Sequence, residues 1–566
     1  MHLPGFVDFL YNYPMSPQPW LNHYDPGVPP SLTYPPRRVF DFLDEAARRY
    51  PEQTCAVFHD QVITYSQMAA LTDRLAAGLH ARGLQQGQRV ALMLPNSPHF
   101  ILAYYAVLKA GGVVSALNPN SPAPETLHQL NDAGATWWIG LHSLYPMLQS
   151  IRAQSGLQGC FPVSLEDDLP GWLDGALVRR QSLPDGDAWL ESLVRTFRAD
   201  PALSGQISPD DPAIFQYSGG TTGTPKAAIG LHRNLAANTL QFRHWLAGLQ
   251  DGRETVLLAI PLYHVYGMVV GMSVGIMLGA RLVLVDDPRN LPALLDSIQT
   301  YQASFYPGVP SMYAAINRHP DVAAGKYELR SIRACISGSA PLLTEVRERF
   351  ESLTGASLME GYGLSEAPTA THCNPMLGEK RAGSIGLPLP DVDCRIVSLK
   401  DGRSELPPGQ PGELLIRGPQ VMQGYHNQPE ETAETLQDGW LHTGDIARMD
   451  ADGYFYIIDR KKDLIKVSGF SVWPREVEEV LARHPGVLEA AAAGVPHPMR
   501  GEAVKAWVVV RPGAQVEAAE IIAWCRAELV YYKVPVEVGF IEKLPRTPVG
   551  KLLRRELVRQ ESVRRS

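Results

Sequence analysis

Residues 217–226 read YSGGTTGTPK, a run of small and hydroxyl-bearing residues that ends in a lysine. Gly219, Gly220 and Gly223 let the backbone turn sharply and approach a ligand closely, because neither move meets a Cβ. Ser218, Thr221, Thr222 and Thr224 add hydroxyl donors, and Lys226 adds a compact positive charge. Such a set suits the oxygens of a polyphosphate. A Walker P-loop requires G-x-x-x-x-G-K-[ST], whereas here Pro225 precedes the lysine and Ala227 follows it. That reading fails at both positions, and an ordinary Gly/Ser/Thr surface loop is what the run alone leaves as the alternative.

Elements that could position this run follow an α/β pattern. Helical spacing runs over Val39–Tyr50 and over Ser66–Arg82, where Leu71, Leu75 and Leu79 share a stripe and Ser66 is placed to cap. Apolar strands are expected at Val90–Leu94, Val256–Ile260, Arg281–Val285, Ala303–Tyr306 and Arg333–Ile336. Alternation of this kind predicts layered α/β subdomains with largely parallel sheets. From about residue 391 short strands and turns take over, predicting a β-rich subdomain over 391–459 within an N-terminal domain of residues 1–459. Residues 460–566 read as a small α+β domain, with a helix opening at Pro474 and another near Ala519–Leu529. Residues 156–210 are the least legible.

The 566 residues exceed what one hydrophobic core can organise, so several units are expected. Net charge of −8 gives no global attraction to nucleic acid, so any bound anion needs a local site. Six scattered cysteines without a C-x-x-C pair indicate reduced thiols, a cytoplasmic setting and no structural zinc. The start MHLPGFVDFLYNYP lacks the basic and apolar regions of a signal peptide. Val265–Ala280 is apolar for about 16 residues, short of a membrane span. Its Gly267, Gly271, Gly275 and Gly279 would share one helical face, either pressed on a neighbour or leaving room for an apolar ligand.

Four more blocks stand in order after the glycine run: SGSAPL at 337–342, EGYGLSE at 360–366, GWLHTGD at 439–445 and DRKKDLIKVSGFSVWPREVE at 459–478. PRTPVGK follows at 545–551. Together these resemble the adenylate-forming superfamily of acyl-CoA synthetases, peptide-synthetase adenylation domains and luciferases, over nearly the whole chain. YSGGTTGTPK, PLYHVYG, EGYGLSE and DRKKDLIKVSGF are most similar to the long-chain fatty acyl-CoA ligases, as is the opening HYDPGVPPSLTYPPRRVFDFLDEAARRYP.

The resemblance implies a two-step ligation that uses ATP, Mg2+ and CoA, with a fatty acid as the acyl substrate. It has Thr221, Thr222 and Lys226 grip the β and γ phosphates, with Ser218, Gly219, Gly220, Gly223 and Thr224 in the same nucleotide-binding loop, Glu366 and Thr222 at the metal, and Ser365 on phosphate. Tyr362 and Gly363, with Gly338 and Ser339 of SGSAPL, would hold adenine. Asp445 and Arg460 would hold the ribose hydroxyls. Lys551 would reach the α-phosphate and acyl oxygen. Lys462 matches the hinge, Lys466 would enter the site once the small domain rotates, and Gly469 would lie beside the pantetheine arm.

No acidic residue occurs between Pro261 and Val285, which disfavours an amino-acid substrate. The His264 and Tyr266 pair, Met268, Met272 and the glycine face instead suggest an apolar channel with His264 and Tyr263 near its mouth. His264 counts with Lys551, Lys466 and Glu366 among the catalytic candidates, while a satisfied core histidine is its plainer reading. Rival readings are an acyl-AMP ligase that loads a carrier protein and a non-catalytic lipid-binding member of the fold. A peripheral contact with the inner face of a membrane and a homodimer stay open. Two residues depart from the family pattern: Ala227 stands where glycine is common, and Ser471 where longer polar side chains are common.

Overall fold

The computed structural model describes residues 18–59, 61–174, 180–217, 226–547 and 550–565. Nine strands form one sheet of the large N-terminal part. Its centre is parallel, with Phe305–Gly308 between Thr255–Leu258 and Ala334–Ser337. Only its two edges run antiparallel. The parallel strands are continuous runs such as TVLL and ACIS, buried along their length, as a sheet covered on both faces demands.

A second sheet of seven strands contains Pro212–Tyr217 and its antiparallel neighbour Ala227–Leu231. The glycine run therefore joins two paired strands at one end of this sheet. Residues 218–225 themselves, including Ser218, Gly219, Gly220, Thr221, Thr222, Gly223 and Thr224, lie outside the described residues.

Helix Pro98–Lys109 is buried at every position, and its sequence PHFILAYYAVLK is apolar almost all round. Ser97 caps it, accepting from the Phe100 amide at 3.3 Å. The preceding residue joins the two sheets. Asn96 shares its amide between the carbonyls of Leu258, Ile260 and Val285 at 2.9–3.2 Å and accepts from the Leu262 amide at 2.8 Å. A buried amide fully used in this way fixes where PLYHVYG starts.

The β-rich texture after residue 391 is a five-stranded antiparallel sheet built from Asp393–Val397, Gly412–Arg417, Leu436–Gln437, Trp440–Met449 and Phe455–Arg460. A further five-stranded sheet follows, with Val487–His497 paired antiparallel to Gly501–Val510 and covered by helices Pro474–Ala482 and Ala518–Glu528.

Two local expectations need correcting, and one stretch left illegible in the sequence takes form. Helix Tyr65–Ala81 is capped by Thr64 in a reciprocal capping box with Gln67, so Ser66 is already inside it. Residues 156–210 hold a buried strand, Gly159–Val163, and short helices whose Leu169, Trp172 and Leu190 join the main core. Val265–Ala280 is no regular helix: Tyr266–Ser273 is a wide π turn, followed by an α-helical turn at Val274–Met277.

The space beside each of the four glycines of that segment is filled. A Cβ on Gly271 would overlap Leu258, one on Gly275 would meet Leu282 at 2.5 Å, and one on Gly279 would overlap the Tyr50 ring. At Gly267 it would overlap the backbone carbonyl oxygen of Pro261. The stripe is a packing face against the nine-stranded sheet and its surroundings, not the wall of an open channel. Backbone cannot yield as a flexible side chain can, so Gly267→Ala is expected to destabilise the protein by about 1–3 kcal/mol, the usual cost of overpacking. Urea unfolding checks this, and an unchanged midpoint would contradict it.

Candidate active site

The segment EGYGLSE ends strand Ser357–Leu364 and turns at once into Ala367–Cys373. Register shifts fall on either side of Gly363, where a Cβ would overlap the Thr369 carbonyl oxygen, so only glycine lets the hairpin close. This carries Tyr362, Ser365 and Glu366 to one end of the nine-stranded sheet. The SGSAPL loop leaves the neighbouring strand at the same end. Gly338 packs 3.1 Å (as a would-be Cβ) from the Tyr266 ring, and Ser339 takes a left-handed φ of 70°. Tyr266 is itself fixed, donating to the carbonyls of Gly308 and Ile336.

Asp445 comes from the antiparallel sheet. Within GWLHTGD, Thr443 donates to the Leu414 carbonyl at 2.7 Å and accepts from the Asp445 amide at 3.1 Å. The Gly444 amide donates to buried Glu413 at 3.2 Å. This turn holds Asp445 in the interior, where its carboxylate has two partners: the Tyr362 hydroxyl donates to it at 2.6 Å and Arg460 Nε at 3.0 Å. Burial and the Asp445 charge push the Tyr362 phenol far up, so it remains a donor. Asp445 in turn holds the Arg460 guanidinium still more firmly protonated. The edge of the Tyr362 ring meets His372 at 5.8 Å, and His372 is tied to Thr371 at 2.9 Å and Cys394 at 3.4 Å.

Lys226 opens strand Ala227–Leu231, which pairs with Gly424–Tyr425. Its ammonium forms an ion pair with Glu431 and lies 5.5 Å from the centre of the Tyr425 ring. The Tyr425 hydroxyl donates to Glu366 at 2.8 Å. One short segment therefore touches both the lysine of the glycine run and the acid of EGYGLSE. Neither Tyr425 nor Glu431 was singled out in the sequence, although GYHNQPEET at 424–432 places an aromatic and acids around a turn.

Lys551 sits in a tight turn: Thr547 N donates to the Lys551 carbonyl at 2.8 Å, and the Lys551 amide to Thr547 Oγ1 at 3.1 Å. Burial brings its ammonium down to about 8, aided by Arg460 and opposed by Asp445, Glu366 and Asp463. Those influences place Lys551 in the same electrostatic field as the Asp445 cluster. Arg554, three residues on, bonds Asp463 at 3.2 Å and Glu478 at 2.7 Å, anchoring the lysine's segment beside the Lys461–Asp463 turn. Asp459 accepts from the Arg460 and Arg475 amides, both at 2.8 Å, and burial lifts its carboxyl to about 6.

Other expected residues stay apart. Lys466 lies on an exposed hairpin and donates to Ser471 at 2.8 Å, with Gly469 at the hairpin turn at φ 86°. The structure does not bring this pair to Lys551. His264 is tilted against Tyr263 at 5.0 Å, and burial lowers its imidazole to about 4, so it is neutral at pH 7. Among the described residues no three His, Cys, Asp or Glu side chains converge as a metal cage. Glu366 offers a carboxylate with one oxygen engaged, a donor set that matches Mg2+ shared with phosphates rather than held by protein alone.

Three cations, Lys226, Arg460 and Lys551, thus lie around Asp445, Glu366 and the Tyr362 phenol, a distribution able to take a polyanion beside a planar base. Residues 43–426 match the AMP-binding enzyme family, and residues 476–551 match the AMP-binding enzyme C-terminal domain. The chain is 39% identical over 558 residues to a long-chain-fatty-acid–CoA ligase of Bacillus subtilis (strain 168), covering 97% of this chain and 99% of the relative. It is 37% identical over 552 residues to the enzyme of that name from Escherichia coli O157:H7, covering 95% and 97%. Among solved structures, ATP-bound MatB from Rhodopseudomonas palustris superposes with a TM-score of 0.81 at 29% identity, covering 93% of this chain and 99% of that one. A Mycobacterium tuberculosis fatty acyl CoA synthetase does so at 0.72 and 27%, covering 93% and 99%. With both of its parts matched and its relatives aligned almost end to end, the chain belongs to the AMP-binding enzyme family.

Proposed function

We propose that this protein is an ATP-dependent fatty acid–CoA ligase. The observation that carries the proposal is the buried Tyr362–Asp445–Arg460 cluster, with Lys551 of the C-terminal domain within reach of its charges and that of Glu366. The names of its relatives supply the acyl substrate class and CoA. In the first step a carboxylate oxygen attacks the α-phosphorus of ATP, the bond to the β-phosphate breaks, and pyrophosphate leaves. In the second the CoA thiol attacks the acyl carbon, losing its proton, and AMP leaves.

Both reactants of the first step are anions, so the protein's main contribution is charge placement. Lys226, with Ser218–Thr224, would hold the β and γ phosphates. Tyr362 and Gly363 would flank adenine against the Gly338–Ser339 backbone, the tyrosine's ring orientation already set by Asp445 and His372. Asp445 and Arg460, prepaired, would take the ribose hydroxyls. Glu366, together with Thr222 and phosphate oxygens, would hold Mg2+, which when bound neutralises phosphate charge, while Ser365 would touch phosphate. Lys551 would bridge the α-phosphate and the acyl oxygen.

For the second step we place the domain boundary at 459/460 and the hinge near Lys462, in the short Lys461–Asp463 turn. Rotation there would replace Lys551 with the exposed Lys466 face of a hairpin that is part of the C-terminal sheet and would move with it, and bring Gly469 to the pantetheine arm. His264, neutral and beside Tyr263 and buried Met268, supports a mouth for an apolar chain. The acyl path must run away from the filled glycine stripe. Among the described residues no helix is long and apolar enough to cross a membrane. Exposed Phe470, Met499 and Tyr531 would suit a cytoplasmic enzyme that meets its acid at the inner surface of a bilayer.

Three outcomes test this function. Lys551→Ala should slow acid-dependent pyrophosphate exchange about 10²- to 10³-fold, the effect of losing one preorganised donor, while conversion of supplied acyl-AMP to acyl-CoA changes far less; equal losses in both assays would remove Lys551 from the first step. The active lysine is the charged form and its pKa is brought down to about 8, so kcat/KM for ATP should fall as pH rises through about 8. Lys551→Arg, if active, should lose that limb. With saturated acids of graded length, specificity should rise toward medium and long chains, each enclosed methylene contributing about 0.8 kcal/mol; acetate or benzoate as the preferred acid would defeat the assignment.

A further inference from the structure

The pair formed by Lys226 and Glu431 is a contact between a phosphate ligand and an acid that the reaction does not use. Glu431 belongs to helix Pro429–Thr435, and its approach to Lys226 is built in rather than incidental. Strand Gly424–Tyr425 pairs with Ala228 and Ile229, immediately after Lys226. Thr432 closes the segment on itself, accepting from the Tyr425 amide at 2.9 Å and donating to the Gln428 carbonyl at 2.8 Å. A Cβ on Gly424 would sit 2.7 Å from the Thr432 side chain, so glycine is required for this closure. From the resulting bracket Tyr425 reaches Glu366 and Glu431 reaches Lys226.

A carboxylate presents two anionic oxygens to an ammonium, as a phosphate edge does. We propose that Glu431 is a placeholder for the triphosphate: it holds Lys226 while the nucleotide site is empty, yields it to the β and γ phosphates of ATP, and recaptures it as pyrophosphate departs. The more highly charged triphosphate wins the exchange. Lys462 lies close enough to bias the Glu431 carboxyl further toward its charged form, so the acid released by Lys226 stays in a positive field beside the hinge. Binding of ATP is thereby weakened by the contact it displaces, and departure of pyrophosphate is assisted by the same amount. Glu431 acts through Lys226 and is a positioning residue.

This rests on the reading of Lys226 as a phosphate ligand, and the test needs neither acid nor CoA. Wild type, E431Q, K226A and the double variant are titrated with a non-hydrolysable ATP analogue in the presence of Mg2+, and separately with inorganic pyrophosphate. E431Q should bind both about 2- to 5-fold more tightly, the range expected for removing a competing, half-exposed ion pair, with its thermal midpoint unchanged. In the K226A background E431Q should bring no gain. A merely structural acid would weaken binding or lower the midpoint when replaced, and that result overturns the proposal. So does an unchanged affinity in folded E431Q, or the same gain without Lys226. Wild type that binds the analogue yet activates no fatty acid would fail the ligase reading alone.

Discussion

Asp445 is buried, and each of its carboxylate oxygens is held by a different part of the chain. The Tyr362 hydroxyl comes from the end of the nine-stranded sheet, and Arg460 from the end of strand Phe455–Arg460 in the antiparallel sheet. A buried carboxylate left unpartnered costs several kcal/mol, roughly what breaking a buried pair costs. That cost locks the antiparallel sheet against the EGYGLSE hairpin, and nearly everything placed around the site follows. The Tyr362 hydroxyl cannot leave its place without losing its bond to Asp445, Arg460 cannot move without breaking its ion pair with the other oxygen, and the chain leaves Arg460 directly into the Lys461–Asp463 turn. One electrostatic requirement thus fixes both the Tyr362 phenol and Arg460, the two groups from which the proposed nucleotide platform and hinge would be built.

Much of this was legible in sequence, and the reasons for the rest are physical. Continuous apolar runs announced the parallel strands, and SGSAPL, EGYGLSE and HTGD named residues that the fold gathers from separate sheets. Helix ends were less secure: Thr64 and Ser66 are both competent caps, and only the reciprocal Gln67 bond distinguishes them. Residues 156–210 hid their buried Leu169, Trp172 and Leu190 because short elements leave too few turns for a period to emerge. The glycine stripe left its use open, since a filled space and an empty one have the same spacing. Tyr425 and Glu431 were missed for a related reason. Their partners stand about 60 and 200 residues away in sequence, and a tyrosine or an acid in a turn signals nothing until strand pairing supplies the neighbour.

Lys551 shows how the same burial serves chemistry and orientation at once. Its ammonium is desolvated and faces Arg460, both of which disfavour charge, while Asp445, Glu366 and Asp463 favour it. The balance leaves a lysine that is charged at neutral pH yet held at a loss, so an arriving polyanion relieves it. On the roles proposed for Lys551 and Lys226, a bound triphosphate would favour docking of the C-terminal domain, because its charge would act on both lysines in the same sense. Departure of pyrophosphate would remove part of that attraction, while Arg554 keeps its bonds to Asp463 and Glu478 within the small domain. If the small domain turns about the Lys461–Asp463 segment as proposed, that loss of attraction would favour a swing after the first step and not before it.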